Sequence, residues 1–173
     1  MHIVGPHGDD GARAPQFVQE QQTLPSTLAC VVIASADPLM RAFLPLSDSG
    51  NARRFKAIHG EWFRFVPELG WLYYDGRRWN VEIGESMAVQ AARAVADRII
   101  DEVAAYERAT PLQRDAAAIR AVNAGVADGE PPSVGEYYDQ KLRRHATRSG
   151  NYNSVRGMLA LAAVDLAARL EDF

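Results

Sequence analysis

WFRFVPELGWLYYDGRRW, residues 62–79, decides how this chain is read. It scans as strand, turn, strand, tight turn, strand. Asp75-Gly76 is its strongest signal, because a type I′ hairpin turn needs positive φ at both central positions and Asp-Gly tolerates that cheaply. A two-residue turn at that point pairs Tyr74 with Arg77, Tyr73 with Arg78, Leu72 with Trp79 and Trp71 with Asn80. Opposed residues share a face. Leu72, Tyr74, Trp79 and Val81 are therefore expected to form the buried side, and Trp71, Tyr73, Arg78 and Asn80 an exposed aromatic and basic side. Phe63-Arg64-Phe65-Val66 offers a third strand, connected through Pro67-Glu68-Leu69-Gly70.

Downstream of the hairpin the apolar period changes from two to 3.6. From Met87 to about Glu107, Ala88, Ala92, Val95, Ile99, Val103 and Tyr106 fall on one stripe of a long helix. Thr110-Pro111 starts a second helix to about Ala124, and residues 125–132 form a turn-rich break. A third helix from Ser133 turns Val134, Tyr138 and Leu142 inward. A fourth, after Ser149-Gly150-Asn151, turns Val155, Met158, Leu159, Ala162, Leu166 and Leu170 inward. Asp97, Asp101 and Glu102 on the long helix read as solvated surface.

Upstream, Ser47 or Asp48 caps a short helix that Gly60 stops. Ala52, Phe55 and Ile58 or His59 lie on its inner stripe, and Arg53, Arg54 and Lys56 on a solvated face that would also suit phosphates. Asp37-Pro38 suits another helix start, with Leu39, Met40 and Phe43 inward, while residues 27–36 fit a buried strand or a helical turn equally. The expected fold class is α+β, mostly α: a small antiparallel hairpin or three-stranded sheet packed on a bundle of about four helices. Residues 1–24 read as a flexible tail or linker and 25–173 as a single globular domain, with the hairpin over 62–82 and the bundle over 86–171.

Composition narrows the function. The 173 residues suffice for one ordinary core, and 47% apolar with 24% charged content is that of a soluble globular protein. Cys30 alone makes no internal disulfide and, set in an apolar run, reads as a buried thiol, which fits a cytoplasmic location. No run approaches the roughly 18 apolar residues of a membrane span. There is no G-x-x-x-x-G-K-[ST] phosphate loop, no G-x-S-x-G elbow and no Cys/His cluster with zinc spacing, so no catalytic residue, metal ligand or cofactor is assigned. The net charge of −3 hides an asymmetry. Between Glu136 and Arg156, Lys141, Arg143, Arg144, Arg148 and Arg156 face only two acids, Glu136 and Asp139.

Residues 46–55 and 65–79 together follow the pattern xDxGNAxRF … xFVPxxGWLxxDGxRW, carried by Gly50, Asn51, Ala52, Trp71, Asp75, Gly76 and Trp79. In this the chain resembles the domain that precedes the superfamily-three helicase module in phage and plasmid primase–helicases, and its relative in the poxvirus primase–helicase. Residues 146–163, ATRSGNYNSVRGMLALAA, are similar to that family's closing polar break and amphipathic helix. The resemblance implies a non-catalytic replication module between primase and helicase, as an excised fragment or a stand-alone copy. It implies the helicase module of the same protein as a partner, an oligomer through the parent ring, and ATP hydrolysis residing in that motor.

Residues and resemblance meet in a candidate contact with single-stranded or forked DNA through Trp71, Tyr73, Arg78, Arg143, Arg144, Arg148 and Arg156, since bases stack on rings while guanidinium groups hold phosphates. Gly50, Asn51, Ala52, Asp75, Gly76 and Trp79 are assigned structural roles. The alternative is an interaction or oligomerisation collar without DNA contact, its arginines paired with acids such as Asp97 or Asp101.

Overall fold

The computed structural model describes residues 37–123 and 137–173. The readings of the tail, of residues 25–36 with Cys30, of the break at 125–132 and of the helix start at Ser133 lie outside the described residues. In chain order the elements are α1 (Pro38–Arg41), α2 (Asp48–His59), β1 (Phe63–Val66), β2 (Gly70–Tyr74), β3 (Trp79–Asn80), α3 (Gly84–Arg108), α4 (Pro111–Asn123), α5 (Tyr138–Ser149) and α6 (Tyr152–Asp165), then a 3-10 turn at Leu170–Asp172. The fold is α+β and mostly helical, with a three-stranded antiparallel sheet in the order β1-β2-β3.

The caps follow from local chemistry. Asp37 and Ser47 accept from the backbone N–H of Leu39 and Gly50, starting α1 and α2. Thr110 and Gln113 satisfy each other's backbone N–H groups in a reciprocal capping box at the head of α4. Asn51 and Gly50 belong to α2, where Gly50 is required because a Cβ there would overlap the Pro45 carbonyl oxygen.

The 25-residue α3 is the spine, about 37 Å long at 1.5 Å per residue. Its first half, with Ala88, Ala92 and Val95, packs with Phe55 of α2, Phe63 and Trp71 of the sheet, and Met158 and Ala162 of α6. Its second half, with Ile99, Val103 and Tyr106, packs with Met40 and Phe43, with Ala117 and Ala121 of α4, and with Leu142 of α5. The predicted stripe on α3 is buried throughout. Tyr138 fastens α5 to the α1 end by donating its hydroxyl to the Ala42 carbonyl at 2.6 Å, and burial pushes its pKa up to about 12.

A buried polar layer joins these two clusters. Arg54 is 0% exposed and Glu102 1%. The Arg54 guanidinium donates to both Glu102 carboxylate oxygens, to the Pro45 carbonyl and to the Arg41 carbonyl, at 2.8–3.2 Å, while Arg41 Nε also reaches Glu102. One turn earlier on α2, Asn51 donates to Ser149 Oγ at 3.0 Å and its carbonyl oxygen lies 2.9 Å from His145 Nε2. The expectation that Arg54 and Glu102 lie on solvated faces is thus corrected. Arg54 follows Asn51 by three residues and Glu102 follows Ile99 by three, so both fall on inward stripes, where an unpaired charge would be prohibitive and a paired one is held.

The hairpin also departs from its expected register and face. Tyr74 pairs with Trp79 and Tyr73 with Asn80, so Gly76-Arg77 is the turn centre and every partner shifts by two residues. Asp75 causes this. Its carboxylate accepts from the backbone N–H groups of Arg77 and Arg78 and from the Asn80 amide, so it flanks the turn, and only Gly76 takes positive φ there, +93°. A shift of two preserves the faces; Leu72 is buried and Arg78 exposed as expected, Trp71 and Val81 are reversed, and Tyr73, Tyr74, Trp79 and Asn80 are half-buried. β1 pairs Phe63 with Tyr73 and Phe65 with Trp71, and these four rings face the helices; Trp71 is only 4% exposed. The opposite face carries exposed Trp62, half-buried Tyr74 and Trp79, and exposed Val81 beyond them, with Leu72 alone buried. The free edge of β1 is covered by the segment after α6, through Phe65 N–H to Leu166 O and Ala168 N–H to Phe65 O, both 2.9 Å. That path carries Leu170 out to solvent, against the inward expectation.

Candidate nucleic-acid interface

The sequence of α5, YDQKLRRHATRS, buries Leu142 and Ser149 and leaves its cations on the rim. Lys141, Arg144 and Arg148 stand at i, i+3 and i+7, one side of the helix. Together with His145 and Ser149 they line a recess of about 500 Å³, closed by Leu46, Ser47 and Asp48 at the head of α2 and by Ser154 of α6. Neither Arg144 nor Arg148 is ion-paired among the described residues, and Asp48 is the carboxylate lining the recess. Backbone N–H groups of the first turn of a helix point outward along its axis, so the head of α2 adds its dipole to the three cations.

His145 contributes no charge here. Burial, then the Arg54 and Arg148 guanidinium groups, lower its pKa to about 4. Its Nε2–H donates to Asn51 Oδ1, which fixes the neutral ring against α2. The recess wall is accordingly tied to the buried polar layer.

The other residues that the sequence singles out lie away from this recess, with Arg156 and Trp71 lining one second groove. Arg143 turns away from the recess and pairs with Glu107 of α3, Nε to Oε1 at 2.7 Å. That is an α5–α3 ion pair of the collar type, though with Glu107 where Asp97 or Asp101 was expected. Arg156 stacks over Tyr152 at 5.5 Å and borders a second groove of about 970 Å³, whose walls include Trp71, Val89, Arg93 and Leu159. Arg78 is exposed at the hairpin tip, Tyr73 is half-buried against Phe63, and Trp71 is a core residue. The structure therefore brings together Arg144 and Arg148, and separates Arg143, Arg156, Arg78, Tyr73 and Trp71 from them. Lys141, Ser47 and Ser154 join the site without having been expected there. The i, i+3, i+7 spacing identifies Lys141; the other two are brought in by helix packing alone.

Among the described residues no group of His, Cys, Asp and Glu is placed to hold a metal ion, and no helix is long and apolar enough to cross a membrane. Residues 52–173 match the family described as D5 N terminal like. The chain belongs to that family. The D5 N-terminal-like domain is the one found ahead of the helicase module in phage and poxvirus primase–helicases, so association with such a module comes with membership. The match takes in the sheet and α3 to α6 and starts inside α2, leaving Gly50-Asn51 just outside it. No curated protein and no solved structure is significantly similar to the chain.

Proposed function

We propose that this D5 N-terminal-like domain links the primase and helicase parts of a replication protein and holds DNA by its phosphates in the recess between α5 and the head of α2. The observation that carries the reading is the convergence of Lys141, Arg144 and Arg148 on one concave site, with no ion pair at either arginine among the described residues. Three cations at one recess suit a polyanion, and their exposure leaves them free to release counterions on binding. Non-catalytic positioning of DNA beside a motor is consistent with the family.

Fluorescence anisotropy with labelled single-stranded DNA tests this on the Lys141→Ala, Arg144→Ala, Arg148→Ala triple variant. Removing the three cations predicts markedly weaker binding at about 0.1 M salt, where screening acts over roughly 10 Å, with near-normal folding. Equal binding by variant and wild type would rule out the recess. A collar without DNA contact is favoured by one feature, the apolar groove between α3 and α6, and that reading predicts background affinity for both proteins.

A further inference from the structure

We propose that the outward face of the sheet is a base-stacking platform for single-stranded nucleic acid, acting beside the phosphate-holding recess and resting on the DNA-contact reading above. The register places a ring from each strand in a row. Trp62, whose carbonyl accepts from Tyr74 N–H at the start of β1, stacks on Tyr74 at 6.4 Å and 28° between planes. Tyr74 meets Trp79 across β2–β3 at 5.2 Å, and Trp79 meets Phe173 edge-on at 5.4 Å. Trp62 and Phe173 are 43% and 50% exposed at the two ends of the row.

Trp62 and Phe173 are open to solvent, Tyr74 and Trp79 are half-buried between them, and the guanidinium groups beside the rings suit a polyanion. The Arg64 guanidinium lies 5.5 Å over the Trp79 ring, and Arg77 and Arg78 are exposed at the turn beyond it. Glu61 and Glu82 near the row are exposed, while three other carboxylates are held within the protein. Asp75 is bound by the Arg78 N–H, the Asn80 amide and the Arg77 N–H, Glu171 pairs with Arg169, and Asp172 accepts from the Arg169 backbone N–H. Rings flanked by guanidinium groups are the chemistry of single-strand sites, because every base has a π face and the arginines meet the phosphates. Duplex DNA, with its bases already stacked, gains nothing from such a row. The inward rings Phe63, Phe65, Trp71 and Tyr73 take no part, being buried against the helices or packed among themselves.

The test uses the full chain with two labelled probes of equal length, oligo(dT) and an abasic oligodeoxynucleotide carrying the same phosphates. The platform predicts that oligo(dT) binds about tenfold or more tightly than the abasic strand, and that it quenches tryptophan fluorescence. Trp62→Ala and Trp79→Ala should each weaken oligo(dT) binding about tenfold while leaving the abasic strand unaffected, and Trp79→Phe should restore most of the loss. Thermal midpoints of all three variants check folding, and exposed Trp62 keeps the test usable should Trp79→Ala unfold. Equal affinity for the two probes, or ring variants that bind oligo(dT) like wild type, overturns the platform. If that happens while the Lys141, Arg144 and Arg148 triple variant still loses affinity, the recess stands without the platform. If wild type binds neither probe, both readings fall.

Discussion

Two Arg-Arg pairs, 53–54 on α2 and 143–144 on α5, look alike in sequence and meet opposite fates. Arg54 is fully buried, its donors spent on Glu102 and on two backbone carbonyls. Arg144 is exposed and makes no ion pair among the described residues. The difference lies in what each helix packs against. α2 is pressed between α3 and α6, so a cation on its inner stripe survives only by pairing, whereas the rim of α5 opens on a recess. A guanidinium satisfied within the protein holds the fold, and one left unsatisfied is available to a ligand.

The largest break in this contrast is expected from Arg54→Ala, which strands Glu102 with Arg41 alone and empties a packed site. Chemical denaturation should show a loss of about 3–5 kcal/mol. A loss below about 1 kcal/mol, the scale of an exposed pair, would mean that the buried layer does not hold the two clusters together. Arg54→Lys should also be costly, since an ammonium cannot reproduce the fork to Glu102 and the carbonyls of Pro45 and Arg41.

A smaller effect comes from His145. Its folded pKa, about 4, lies below the ordinary 6.5, so between these values the unfolded chain binds a proton that the folded one refuses. Stability should be fully present above about pH 6.5 and fall as the pH drops toward 4. His59 is also lowered, by burial and then by Arg98, and shares the trend. Denaturation midpoints at neutral pH and near pH 5 should therefore converge only in part for His145→Gln, which keeps an amide donor toward Asn51. An unchanged pH dependence in that variant would show that the ring is not held neutral by this packing.

The smallest effect belongs to Arg143→Ala. Its ion pair with Glu107 is half exposed on both sides, so its removal should cost at most about 1 kcal/mol and leave DNA affinity nearly unchanged. A large loss of affinity would move the phosphate site off the recess and onto the α3–α5 seam.

Much of the architecture is legible in the sequence because periodicity reports burial directly: the α3 stripe from Ala88 to Tyr106, the caps at Asp37, Ser47 and Thr110, and three strands in antiparallel order. Sequence reasoning fails where two rules compete. Propensity puts Asp75-Gly76 at the turn centre, but the Asp75 carboxylate is worth more as an acceptor flanking the turn. Leu72 and Val81 suggest the wrong buried face, and pairing of Phe63 and Phe65 with Tyr73 and Trp71 corrects it. Charge alone puts Arg54 and Glu102 in solvent, whereas their positions on the helical stripes put them inside. The recess is half legible, since the cation spacing on α5 is in the sequence but the approach of the α2 head is a product of packing.

The most direct test of the contrast is the slope of log affinity against log salt for single-stranded DNA, measured for wild type and for the Lys141, Arg144 and Arg148 triple alanine variant. Abolishing three phosphate contacts should reduce the slope's magnitude by about 2, at roughly 0.7 for each contact to a single strand, with the thermal midpoint nearly unchanged. Parallel slopes for the two proteins would contradict the account.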